Sequence, residues 1–314
     1  MFACAADGEG LTNMSNAIAT DRAANRLGSL FMIAAMAGFA VEDAFLKAAA
    51  RDLPISQVMV LFGAGGAMAF ALWLRSQSLP LAPREVLSRP MQVRVFFEIF
   101  GRLFFTLSLA LTPLSSTTVI LQATPLVVVG FAALVLGERV GWRRWLAIAI
   151  GLAGVVIVVR PGGDSFSLLS LLAVGGMLGF AGRDLASRAA PASLSTAVLG
   201  LYGFLAIVVA GALYGVLWEQ VPFHTPPPEA LLMVVGAVVC GVGAYSALMR
   251  AMRTGEVSAV TPFRYSRLLF GVALGVLVFG EQMDAMMLLG CGLIVLSGLF
   301  IMVRKRRVSA QAND

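Results

Sequence analysis

The sequence predicts an all-α integral membrane protein whose ten transmembrane helices form two inverted repeats of five. Three observations predict it. The first is composition: of 314 residues 59% are hydrophobic and only 13% charged, which leaves too little polar surface to cover a soluble globule. The second is a series of apolar runs, each near the ~20 residues that a helix needs to cross a hydrocarbon core. The third is an internal likeness at shifts of 141 to 143 residues.

Residues 1–28 hold Asp7, Glu9 and Asp21 and no apolar core, so they lack the basic start and hydrophobic run of a signal peptide. They are expected to be a disordered cytoplasmic arm, with Met14 as an alternative start. The first repeat, 29–160, contains runs at 29–49, 54–74, 93–112, 115–136 and 144–160. The second, 161–303, contains runs at 166–184, 193–218, 229–250, 257–279 and 285–303, the second of these long enough to need tilt or an earlier end. Residues 304–314 form a basic cytoplasmic tail. Strands of a membrane barrel are excluded, because the runs are about twice too long and do not alternate.

Placing the N-terminus inside puts 17 Lys and Arg residues on that side and only Lys47, Arg51 and Arg160 on the other, with Arg102, Arg264 and Arg267 in the membrane. This positive-inside bias fixes the expected orientation, both termini cytoplasmic. The basic balance of +6 lies in short clusters between apolar runs, so it reads as topology and not as nucleic-acid binding. Cys4, Cys240 and Cys291 show neither zinc-ligand spacing nor a disulfide framework. No metal or cofactor is expected, and His224 reads as a solvated loop residue.

AGFAVEDAFLKAA at 37–49 matches LGFAGRDLASRAA at 178–190, pairing Gly38 with Gly179, Asp43 with Asp184 and Lys47 with Arg188. LVLGE at 134–138 matches VLVFGE at 276–281 and pairs Ser115 with Ser258. Five spans per unit is odd, so the second unit must enter the membrane upside down. Inverted repeats of this kind are the architecture of secondary transporters, with a midplane site between halves that rock alternately.

The candidate site follows from charges in apolar runs. Counting from Ser258, Arg267 lies ~13 Å into the ninth run at 1.5 Å per residue, where a cation must face protein or a watered cavity. Arg264 and Arg267, with Tyr265, suit an anionic or planar, carbonyl-rich solute, because guanidinium forks both donate and stack. Glu98 and Arg102 stand four apart on one face of the third helix. Either they pair structurally, or Glu98 couples transport to protons. Asp43, Lys47, Asp184 and Arg188 are candidate gate residues, and Glu42 reads as interfacial. Pro125 and Pro262 are candidate hinges, since a helix-interior Pro frees a carbonyl. Gln122 and Thr124 stand beside Pro125 as hydrogen-bonding candidates.

The stretches 110–140, containing TPLSSTTVILQATPLVVVGFAALVLGERV, and 255–281, GEVSAVTPFRYSRLLFGVALGVLVFGE, resemble the EamA branch of the drug/metabolite transporter superfamily. The likeness covers about 28–305, and its most specific feature is a Pro within an apolar helix followed by a terminal Gly-Glu, as in Pro125 to Glu138 and Pro262 to Glu281. The resemblance implies a bacterial inner-membrane carrier of small organic solutes working by alternating access. Riboflavin uptake is the first substrate expectation, with S-adenosylmethionine or amino-acid-type solutes, taken up or exported, as alternatives. Monomer and homodimer both remain open. A membrane-embedded enzyme or a channel is the rival class. The chain shows no phosphate-cradling or nucleophile motif, and opposed halves argue for rocking over a static pore.

Overall fold

Helices stand where the apolar runs predict them in the computed structural model, which describes residues 6–135, 141–160, 168–189, 191, 193–254 and 260–311. In order they are α1 (Ala6–Ala49), α2 (Ile55–Ser76), α3 (Arg89–Leu111), α4 (Leu114–Leu121), α5 (Thr124–Val135) and α6 (Trp142–Val159). There follow α7 (Ser170–Ala189), α8 (Thr196–Tyr214), α9 (Pro228–Thr254), α10 (Ser266–Phe279) and α11 (Ala285–Gln311). A 3-10 turn, Thr261–Tyr265, leads into α10, and a π turn, Gly215–Glu219, ends α8.

Among the described residues, six segments are long and apolar enough to cross a bilayer by length and composition: Ala23–Ala49, Ile55–Ser76, Leu114–Leu134, Thr196–Glu219, Pro228–Met252 and Thr261–Phe279. Trp145–Val159 and Ala285–Phe300 are shorter apolar stretches. Helices α3 and α7 fall outside both sets, and each carries several charges, among them Arg94, Glu98 and Arg102 on α3 and Arg183 and Asp184 on α7.

One expectation differs from what is observed. Residues 6–28 continue α1 as helix instead of forming a disordered arm; Ala17, Ala19, Ala23 and Ala24 favour helix, and no Gly or Pro interrupts 11–27. The basic tail is likewise helical through Gln311. The repeat boundary at 161, and both Glu138 and Ser258, lie outside the described residues.

The helices pack in pairs across the two halves, and contact order gives their sense. Along α1, Phe31, Gly38 and Phe45 meet Arg250, Ala244 and Gly236 of α9 in descending order, so the pair is antiparallel. Along α3, Arg94, Phe97, Gly101 and Phe105 meet Ser187, Gly182, Gly179 and Gly176 of α7, again antiparallel. The repeat shift maps α1 onto α7 and α3 onto α9, so these are equivalent seams with partners exchanged. Both depend on small residues: a Cβ on Gly38 would lie 2.9 Å from the Ala244 Cβ, and one on Gly179 would run into the backbone of Gly101. Helices α2 and α8 close one side through Phe62, Phe70 and Phe204, with ring centroids 5.2 and 5.7 Å apart. Helices α6 and α11 meet at Gly154 and Gly290.

Helix ends are held by carboxylates from the other half. Glu219 accepts from the N–H groups of Ile55 and Ser56 at 2.8 and 2.9 Å, capping α2. Glu281 accepts from Leu114 and Ser115 N–H at 2.6 and 2.8 Å and from the Ser115 hydroxyl at 2.6 Å, capping α4. An anion at the positive end of a helix is favourable. At the preceding end of α3, Lys47 donates to the carbonyls of Leu109 and Thr112 at 3.0 and 2.5 Å. The α3–α4 corner is thereby gripped at both helix ends.

Candidate functional site

An apolar protein places charge inside itself only where opposite charge meets it. Between the halves, the described residues bring together four guanidinium groups, Arg94, Arg102, Arg183 and Arg267, and four carboxylates, Glu42, Asp43, Glu98 and Asp184. Helix periodicity builds one wall: Arg94, Glu98 and Arg102 recur every four residues along α3 and share a face.

Glu98 is the hub, its side chain 4% exposed. Arg183 Nη1 lies 3.3 Å away, Arg102 Nε 3.5 Å and Arg94 Nη2 3.7 Å. Arg94 also donates to Ser187 Oγ at 3.0 Å. Arg183 donates to its neighbour Asp184 at 2.8 and 3.0 Å. Arg267 donates to Asp43 at 2.6 Å, joining α10 of the second half to α1 of the first. Arg102 reaches across to Glu42 at 3.5 Å. Several polar atoms here are buried without a partner among the described residues: Glu42 Oε2, Asp43 Oδ1, Arg94 Nη1 and Arg267 Nε. Arg264 is half-buried and has no ion pair among the described residues.

Aromatic rings pack against these guanidinium groups. The Arg267 guanidinium lies 5.3 and 5.7 Å from the Phe39 and Phe105 rings, and Arg102 and Arg183 lie 5.6 and 4.6 Å from Phe180. Phe105 and Phe180 meet edge to face at 5.5 Å. A continuous chain of rings and guanidinium planes therefore crosses the seam between the halves, a surface suited to a flat, hydrogen-bonding solute.

Residues 26–160 and 168–303 each match the EamA-like transporter family. The chain belongs to the EamA-like transporter family. A riboflavin transporter of Vibrio cholerae is 28% identical, over 87% of this chain and 92% of its own. An S-adenosylmethionine uptake transporter of Rickettsia prowazekii is 26% identical over 72% and 76%. A pseudopaline exporter of Pseudomonas aeruginosa is 27% identical over 86% and 94%. One solved crystal structure, 21% identical, superimposes with a TM-score of 0.60 over 90% of this chain and 98% of that one and shares the fold. As an EamA-like transporter, the chain is a membrane carrier of a small molecule.

Within this transporter the residues singled out from sequence are distributed unevenly. Glu98, Arg102, Asp43, Asp184 and Arg267 sit in the ion network. Tyr265 does not: its hydroxyl packs over Gly298 of α11, without a hydrogen-bond partner among the described residues. The 3-10 turn Thr261–Tyr265 advances each residue by about 120° instead of the ~100° of an α-helix, which changes where Tyr265 points relative to Arg264. Lys47 grips backbone carbonyls instead of an acid. Gln122 donates to the Arg264 carbonyl at 3.2 Å, tying the α4–α5 break to the turn before α10. Pro125 has no N–H to offer the Leu121 carbonyl, and Thr124 Oγ1 donates to it instead at 2.5 Å, so the helix divides there. Pro262 stands in the first turn of the 3-10 segment. The Arg188 side chain lies outside the described residues. Sequence reasoning passed over Glu42, Arg94, Arg183 and Phe180 as site residues; the four-residue spacing of 94, 98 and 102, and the match of Phe39 to Phe180 under the repeat shift, are the signals that find them.

Proposed function

We propose that the chain is a secondary transporter of ten spans in two inverted halves, carrying a small organic metabolite across a bacterial inner membrane by alternating access, with riboflavin as the solute taken up. The observation that carries the reading is the cluster of rings and guanidinium groups of Phe39, Arg267, Phe105, Phe180 and Arg102, contributed by both matched halves. A flat isoalloxazine system with carbonyl acceptors stacks on such planes and takes hydrogen bonds from them. Antiparallel α1–α9 and α3–α7 seams with exchanged partners support inversion. The like-named relatives support the solute.

In this reading Arg264, Arg267, Arg102 and Gln122 contact solute or position its contacts. Asp43 with Arg267 and Asp184 with Arg183 are the gating pairs, and the breaks at Thr124–Pro125 and Pro262 are hinges. A second reading is favoured by the carboxylates Asp43, buried, and Asp184, half-buried, which suit a solute with cationic groups such as S-adenosylmethionine. Both place the protein among carriers and not among enzymes. Purified protein in liposomes tests this. Saturable uptake of labelled riboflavin, accelerated by riboflavin on the opposite side, is expected. Lipid turnover or unsaturable flux would overturn the carrier reading, and counterflow of S-adenosylmethionine alone would select the second solute.

A further inference from the structure

The four carboxylates of the seam, three of them buried and Asp184 half-buried, are not held equally. Glu98 has guanidinium nitrogens at 3.3, 3.5 and 3.7 Å from three arginines. Asp43 has Arg267 at 2.6 Å, and Asp184 takes two donors of Arg183 at 2.8 and 3.0 Å. Glu42 has one contact, Arg102 Nη1 at 3.5 Å, the outer edge of hydrogen bonding, and its other oxygen is buried without a partner among the described residues. That oxygen lies against Gly241, where a Cβ would stand 3.0 Å from it. Under the repeat shift Gly241 occupies the place of Glu98, so the position that gives Arg183 a partner in one half gives Glu42 none in the other.

Arg102 stands between the two glutamates, 3.5 Å from each. The charged and titratable groups around Glu42 are Asp43 on its own helix, Arg102 on α3 with Glu98 beyond it, Arg267 on α10 and Cys240 on α9; α4 contributes none. A proton added to any of the other three acids breaks a close ion pair. Added to Glu42, it breaks one long contact and supplies a donor where an oxygen has no partner.

We propose that Glu42 carries the coupling proton of this transporter, with Arg102 as the arm that responds to it. With Glu42 ionised, Arg102 is shared between Glu42 and Glu98. With Glu42 protonated, Arg102 turns wholly to Glu98 and releases α1 from α3. One proton enters from one face, is held as the carboxylic acid, and leaves to the other face when the halves have rocked; no other bond forms or breaks. The proposal rests on the carrier reading and relocates proton coupling from Glu98, which three arginines hold ionised, to a residue on α1.

Two measurements test it. In proteoliposomes with the electrical potential collapsed, a gradient of one pH unit should shift the steady-state riboflavin distribution about tenfold for one proton per solute. Glu42→Gln should abolish that shift. A pH-dependent distribution surviving in Glu42→Gln overturns the proposal. The second measurement needs no solute: infrared difference spectra of the purified protein between low and high pH should show a protonated-carboxyl band that is missing in Glu42→Gln and present in Glu98→Gln. A band that persists in Glu42→Gln, or disappears in Glu98→Gln alone, overturns it. A wild type that carries no riboflavin refutes the solute assignment, and the infrared result then decides the proton.

Discussion

Replacing Arg267 by Ala separates a structural from a functional reading of the seam. Asp43 is 1% exposed on its side chain, Arg267 16%, and the pair is 2.6 Å long, with Asp43 Oδ1 already lacking a partner. Removing one member of a buried pair leaves an uncompensated charge, at a cost of about 3–5 kcal/mol. Arg267→Ala should therefore insert in the membrane, melt at a lower temperature in detergent, and show no counterflow. The double variant Asp43→Asn with Arg267→Gln removes both charges and should recover most of that loss in melting temperature. If the pair serves packing alone, the double variant recovers transport as well. If Arg267 works on solute and gate, transport stays absent. Wild-type transport by Arg267→Ala, or by the double variant, would refute the reasoning.

Further outcomes follow from the helix ends and seams. Glu281→Gln loses a charge that takes three hydrogen bonds at the α4 terminus and should destabilise by about 1–3 kcal/mol, read as earlier unfolding in a thermal ramp. Gly179→Leu places a side chain against the Gly101 backbone and should cost upward of about 3 kcal/mol or abolish expression, checked by yield of monodisperse protein. On the exposed rim, the hydrogen bond from Arg160 holds the Asp284 carboxyl below the usual range. A lowered value means the stabilisation is present above the unfolded-state pKa and lost as pH falls through the folded one, so melting temperature should fall below about pH 4. In Asp284→Asn this acid-side component should be smaller.

Hydropathy made the succession of helices legible, because it is a property of spacing along the chain. The ion network was less legible. Arg94 follows Arg89 and Pro90, so it reads as a loop charge, yet α3 begins at Arg89 and turns Arg94 inward with Glu98. Arg183 and Glu42 flank the ends of their apolar runs and look interfacial. Their burial depends on Phe180, Gly241 and Glu98, contributed by other parts of the chain, and a local window holds none of these. Tyr265 failed in the opposite sense, since a 3-10 turn instead of an α-turn changes which way every later side chain points, and propensity alone does not reveal where that change occurs.

At one matched contact the two seams differ by a methyl: α3 and α7 meet glycine to glycine, while α1 and α9 meet glycine to alanine at Ala244. The same added methyl would meet Gly101 Cα at 2.4 Å if placed on Gly179 but Ala244 Cβ at 2.9 Å if placed on Gly38, so a duplicated plan does not carry equal tolerance to change on its two sides.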